Sequence, residues 1–469
     1  MMRSPLRLQL SKAEKALVVL FVATMPFVHP QIRLDGIAYY GVARSLIIDH
    51  NLRFRGDWKD PAALPSMMGR DYYNRPVIVH ATKTGHIPVH SAIGPALLWA
   101  PFIAAAHAGV LLLDRLGAQI SADGFSKPYV VTVAAATCLY ALFGLLFSLR
   151  LARKFVDERW AFLSTVAIWL GSGLPAYLYV DPSWSHALSV FVVALFVWYW
   201  ERTRGARTLS QWIVLGLVAG LMAEVYFPNA VFFLLIFFEP DEVTRGTATR
   251  ARSAQPQALL GHAASALAAL VALLPTLIIR TVLFGTPLAL GAYGDHGWNW
   301  TAPALLQVLF SPSQGLFTTH PVLIFAAAGL LLWLKRDPSL GRGMLASFVV
   351  FTLLIATYPL WNFGPSFGNR YFISFTTPFI LGLALALSTL AERWGNAAAL
   401  ARRAWVVAAL LVVWNLGLVF QWGTGLMPDV GRVYWQEILY NEFRVVPAQA
   451  LRALQARFSS RFDRGQENG

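Results

Sequence analysis

The stretch Arg33-Leu34-Asp35-Gly36-Ile37-Ala38-Tyr39-Tyr40 follows directly on the first long apolar run, Ala16–Pro30. Four cations, Arg3, Arg7, Lys12 and Lys15, precede that run. Basic flanks stay on the cytoplasmic side of a bilayer. The quoted stretch is therefore where the chain first emerges on the far side. A carboxylate stands there, followed by a glycine that lets other backbone approach closely and backed by two tyrosines. Asp35 is the first candidate for chemistry, and the rest of the chain reads as a scaffold around it.

Composition sets the class. Of 469 residues, 57% are hydrophobic and only 13% charged, against about 25% charged in soluble proteins. Several runs approach or exceed the roughly 20 apolar residues that cross a bilayer. The expected fold is an all-α polytopic membrane protein. The formal charge of +14 does not point to nucleic acid, because the cations lie in short clusters between apolar runs, as cytoplasmic loops do. The one cysteine, Cys138, sits in an apolar run and has no partner for an intrachain disulfide. Ala16–Pro30 has no small-residue cleavage site after it and reads as a retained span.

Loop parity decides the topology. The run Ser91–Leu113 contains Pro95 and Pro101. If it crossed, Arg150, Arg153, Lys154, Arg202, Arg204, Arg402 and Arg403 would face outward. If it lies along the outer interface, all of them face inward, with Lys335, Arg336 and Arg393. The second choice satisfies the charge rule, so this run is expected to be interfacial or re-entrant and broken by its prolines. Ile37–Asp49 is expected to be a second surface helix. The later spans then run over 128–151, 160–180, 186–200, 211–227, 228–238, 259–284, 316–334, 344–361, 371–391 and 404–422. With the first, that makes about eleven crossings. Residues 228–238 are short for a span. The expected organisation is a cytoplasmic N-terminus (1–15), a membrane domain (16–422) with a long first outer loop (31–127), and an outer C-terminal tail (423–469).

Ionisable groups within spans are costly and mark functional sites. Asp181 ends one span in Asp181-Pro182-Ser183-Trp184-Ser185-His186. Glu224 and Arg280 lie near outer ends, His320 opens a span, and Arg370 stands in Gly368-Asn369-Arg370-Tyr371. All fall on the side of Asp35. Each also has a structural reading: Asp181 as a cap, Arg280 snorkelling to headgroups, Glu224 pairing with Arg280, and His186 and His320 as hydrogen-bonded packing groups. His86 and His90 are spaced for a metal on a helix, but Pro88 opposes that helix and no third ligand is evident. No metal or other cofactor is expected. No phosphate loop or HExxH motif is present.

A carboxylate can deprotonate an attacking hydroxyl, and arginine or lysine can hold a departing phosphate. Asp35 with Arg370, Arg280 and Lys83 supplies both parts on a side where nucleotide sugars are normally absent. A donor available there is a sugar on a polyprenyl phosphate, its tail in the bilayer.

The chain resembles bacterial integral-membrane glycosyltransferases of the GT-C fold, in the protein O-mannosyltransferase and lipid A aminoarabinose transferase branch. The resemblance is carried by Asp35 through Asp49, by Arg150 to Asp181-Pro182, by Ser311-Pro-Ser-Gln-Gly-Leu-Phe317 and by Trp361 to Tyr371. It implies a catalytic role for Asp35 and a supporting acidic role for Asp181; from the residues themselves, donor or acceptor contacts are expected of Tyr39, Tyr40, Lys83, His186, Glu224, Arg280, His320 and Arg370. It also implies a bacterial inner-membrane location with the site facing outward, a polyprenyl-phosphate sugar donor, and a glycan, lipid or protein acceptor. Two departures stand out: Asp35 is followed by glycine where many relatives carry a second acid, and Lys83-Thr84-Gly85 stands near where relatives have Lys-Pro-Pro. The rival readings are a lipid-linked sugar flippase, which should show paired broken helices and an internal repeat, and a non-catalytic scaffold.

Overall fold

The computed structural model describes residues 10–52, 82–86, 89, 91–205, 207–239, 248–289, 297–362, 366–428, 433–452 and 455. Among them there is no β-strand. The principal helices are α1 (Lys12–Thr24), α2 (Asp35–Ile47), α3 (Gly94–Arg115), α4 (Lys127–Ala152), α5 (Glu158–Gly171), α6 (Ser185–Thr203), α7 (Leu209–Val225), α8 (Ala248–Ala272), α9 (Leu274–Phe284), α10 (Val322–Leu330), α11 (Pro338–Thr357), α12 (Thr376–Trp394) and α13 (Ala397–Gly423). Five described helices are long and apolar enough to cross a bilayer: α3, α4, α11, α13, and α12 with the 3-10 turn before it. The pair α8–α9, bent by 43°, makes a sixth. The chain is a multi-span helical membrane protein.

One end of the bundle is tied by ion pairs. Arg150 at the end of α4 reaches Glu14 near the start of α1, and Lys154 reaches Glu201 at the end of α6. Arg204 pairs with Asp337, which caps α11, and Arg207 pairs with Glu239. Helix starts here carry strong caps: Ser11 with Glu14, and Thr208 with Gln211, each form a capping box. Every helix that meets these pairs therefore begins or ends at this basic end.

Glu239 also explains the short segment 228–238. The chain turns at Tyr226, and Phe227–Phe233 is a 3-10 helix continued by the single α-turn Leu234–Phe237. A 3-10 helix rises about 2.0 Å per residue, against 1.5 Å in an α-helix. Few residues thus carry the chain from the far end of α7, where the Asn229 amide donates to the carbonyl of Met222 (3.1 Å), back to Arg207.

Helix α3 behaves differently from expectation. Pro95 falls in its first turn, where a missing N–H costs nothing, and Pro101 is accommodated within it, so the helix is continuous. It runs antiparallel to α4: Tyr140 donates to the carbonyl of Leu98 (3.0 Å), and His107 contacts Tyr129 (2.7 Å). Leu98 is thus level with the middle of α4, and α3 stops well short of Arg150. Nor is α2 a surface helix. Ile37, Tyr39, Tyr40, Val42, Ala43 and Arg44 are all buried, because α3 covers one side and the 181–185 segment the other. The C-terminal tail is partly ordered against the bundle. Trp435 stacks on Trp414 with ring centroids 6.1 Å apart, and buried Glu442 accepts from Gln421 (2.7 Å).

Candidate active site

The segment leaving α1 is stitched to the chain around Asp181 in an alternating pattern, as an extended strand would be. The backbone N–H of His29 donates to the carbonyl of Tyr179 (2.7 Å). Gln31 donates to the carbonyl of Val180 (2.5 Å) and to Asp181 Oδ1 (2.9 Å). Arg33 lies 3.5 Å from Asp181 Oδ1, and its N–H donates to Ser183 Oγ (3.1 Å). On the other side, Ala176–Val180 is a single π-turn that ends at Asp181; such turns widen a helix and recur at functional sites. Pro182 holds Asp181 out of helical geometry. Asp181 is completely buried and acts here as the anchor for the incoming segment.

That anchoring sets the direction of Asp35. Leu34, just before it, has φ 49° and ψ −123°, a conformation that costs about 1–3 kcal/mol and persists only where the surroundings enforce it. Gly36, just after it, sits on Ser183 so closely that an added Cβ would lie 2.2 Å from the serine oxygen. The glycine that replaces the second acid is thus required by packing. Asp35 itself is surface-accessible, yet the protein around it desolvates its carboxyl and pushes its pKa up, an effect that the charge of Arg370 opposes. An accessible group that is also desolvated lies on the wall of a recess, not on a convex surface.

Arg370 reaches the recess from the other half of the chain. The segment 366–370 is held by Gln314, which donates to Ser366 (3.0 Å), by Tyr177, which accepts from the N–H of Phe367 (3.0 Å), and by Asn369, which donates to the carbonyl of Val308 (3.2 Å). The two Gly-rich stretches singled out in the sequence therefore meet. The guanidinium lies 5.2 Å from the ring centre of Trp184 and 4.8 Å from that of Tyr371, a cation–π setting that fixes its position. Beside it, His186 is buried among Tyr177, Trp184, Tyr226 and Tyr371, with centroids 5.2–6.3 Å away. Its Nδ1 has no hydrogen-bond partner among the described residues. Tyr39 donates to Ser185 (3.3 Å) and faces the same segment.

The other candidates lie elsewhere. Tyr40 points away, its hydroxyl donating to the carbonyl of Gly124. Glu224 is buried and accepts from the N–H (3.1 Å) and the hydroxyl of Thr276, so its evident role is to join α7 to α9. Arg280 donates to the carbonyl of Ala289 and lies 4.8 Å from the ring centre of Phe227. Lys83 is exposed on a turn that Thr84 docks onto the end of α9 through the carbonyl of Leu283 (2.6 Å). His320 contacts Asn415 (2.9 Å) and packs behind Gly368, one layer away from the recess. His90 lies outside the described residues. Among the described residues no group of three His, Cys, Asp or Glu side chains is disposed to hold a metal. Gln31, Arg33, Tyr177 and Tyr226 were not singled out in the sequence. Only Asp181-Pro-Ser-Trp-Ser-His, with its dense polar and aromatic content, hinted at what they surround.

The class is a helical multi-span membrane protein with an acid–arginine recess at one end. No protein-family model matches the chain, and no curated protein matches it. Among solved structures the chain is similar to ArnT from Cupriavidus metallidurans, crystallised bound to undecaprenyl phosphate. The likeness covers 92% of this chain and 75% of that one, with 15% sequence identity and a TM-score of 0.48.

Proposed function

We propose that the chain is an inverting glycosyltransferase that takes a sugar from a polyprenyl-phosphate donor at an extracytoplasmic site. The observation that supports this reading is that Arg370 lies near enough to Asp35 for its charge to oppose the rise in the Asp35 pKa, a carboxylate and a guanidinium supplied by opposite halves of the chain. Asp35 accepts the proton of an acceptor hydroxyl. The hydroxyl oxygen forms a bond to the anomeric carbon as the bond from that carbon to the phosphate oxygen breaks. Arg370 takes up the charge that grows on the leaving phosphate. The lipid tail stays in the bilayer beside the bundle. Arg33, Gln31 and Asp181 position the base, and His186 with its aromatic neighbours forms a wall against the sugar.

The orientation follows from the basic end lying in the cytoplasm, which puts Asp35 outside. On the same grounds α3 is a re-entrant or interfacial helix, and the crossings number about eleven. Bacterial inner membrane is the proposed location, and the acceptor is a glycan, lipid or protein hydroxyl. The test is purified Asp35→Asn protein, shown to be folded, assayed with a polyprenyl-phosphate sugar and with undecaprenyl phosphate as the binding probe. Loss of transfer with retained binding is expected. Undiminished transfer ends the assignment.

A further inference from the structure

The basic end contains a second concavity, far from Asp35. It is a recess of about 450 Å³ between the turn after α4, the start of α5, and the junction of α12 and α13. Arg153, Lys154 and Arg159 line it, with the carboxylates of Asp157 and Glu392. Asp157 is held by Arg159 (2.9 Å), Arg153 lies 3.3 Å from Glu158, and Lys154 pairs with Glu201. Each arginine carries five N–H donors, so these pairs leave donors for a further anion. Arg393, next in sequence to Glu392, and Arg402 and Arg403, early in α13, are also exposed, so this end of the bundle is predominantly positive.

Behind the recess the protein is apolar and buried. Trp160, Ala391 and Leu400 form a small buried cluster separate from the main core. Trp394 and Trp405 are exposed beside it, at 52% and 39%, and Arg403 lies 5.2 Å from the ring centre of Trp394. Tryptophan under arginine is how a chain meets the boundary between headgroups and acyl tails. A cationic recess with exposed tryptophans beside it matches a ligand with a phosphate at one end and a hydrocarbon chain at the other.

We infer that this recess binds the headgroup phosphate of an anionic phospholipid, with an acyl chain against the α5–α13 groove. The inference does not depend on the transferase reading. The test is native mass spectrometry of the full chain released from nanodiscs containing phosphatidylglycerol or cardiolipin, with phosphatidylcholine nanodiscs as the neutral arm. Anionic lipid is expected to stay bound and phosphatidylcholine is not. Arg159→Gln removes a cation that meets exposed Asp157 and lies over the Trp160 ring, and should weaken retention roughly fivefold. Ser388→Trp fills the recess with the charges left in place and should weaken it at least as much. Arg342→Gln removes a cation at the same end but outside the recess, and should leave retention unchanged. Equal weakening by Arg342→Gln, or none by Arg159→Gln and Ser388→Trp, overturns the site. Arg159-dependent binding of inorganic phosphate or a nucleotide without lipid assigns the recess to a soluble anion and overturns the lipid reading.

Discussion

The two ends of the bundle use the same residue types to opposite effect. At the basic end four cations meet carboxylates directly: Arg150 with Glu14, Lys154 with Glu201, Arg204 with Asp337, Arg207 with Glu239. These pairs fasten helix ends. At the other end Arg370 rests on aromatic rings and Asp35 stands on a recess wall. One carboxylate there, Asp181, does the fastening instead, through Gln31 and Arg33. Pairing spends a charge on structure, whereas Arg370 is set among aromatic rings with its charge acting on Asp35. Mutations at the two ends should therefore fail in different ways.

The largest effect is expected from Asp35→Asn, which should lower transfer by roughly 10²–10⁴-fold while thermal unfolding and donor binding stay near wild type. Arg370→Gln should lower transfer by roughly 10²–10³-fold in the same steady-state assay and weaken donor binding as well. Glu239→Gln should do the reverse. The Arg207 side chain has no solvent exposure, and leaving such a charge without its carboxylate costs about 3–5 kcal/mol. Stability in detergent should fall while transfer per folded molecule is kept. Equal kinetic damage at both ends would break the contrast. Gly36→Ala should cost about 1–3 kcal/mol through its collision with Ser183, read as a lower unfolding temperature, and should shift Asp35 enough to reduce transfer.

The pH profile offers a smaller effect and a definite sign. Asp35 must be ionised to act as a base, and burial raises its pKa. Activity should be lost as pH falls through a value above the ordinary carboxylate range. Arg370 opposes that rise, so in Arg370→Gln the acid limb of kcat/KM should move to still higher pH. A shift to lower pH would mean that the two groups do not interact.

Much of the fold was legible because a bilayer constrains sequence so strongly. Apolar runs and basic clusters placed the helix ends, while the expectation that α3 lies along the outer interface stays a proposal: it packs antiparallel on α4 and is itself long and apolar enough to cross. Residues 228–238 looked too short because a 3-10 rise cannot be read from hydropathy. Pro101 suggested a break, but a helix packed along one side by α4 tolerates one missing hydrogen bond. The candidate site was half legible. Charged residues stand out against apolar sequence, which is why Asp35, Asp181 and Arg370 were singled out. Which neighbours face them depends on rotation about a helix axis: Tyr39 faces the 181–185 segment and Tyr40, one residue on, turns to Gly124. The partners of Asp181 come from an irregular segment with no periodicity to betray them, and Glu224 and His320 look like site residues in sequence because a buried structural polar group carries the same signature.

The central claim is that Asp35 and Arg370 act on one bond in one recess, and a double-mutant cycle tests it most directly. Transfer would be measured for Asp35→Asn, Arg370→Gln and the combined variant, all shown to be folded. Groups acting as a unit are strongly non-additive, so the combined loss should barely exceed the larger single loss. A combined loss equal to the product of the two would mean that the carboxylate and the guanidinium work independently, and would contradict the account.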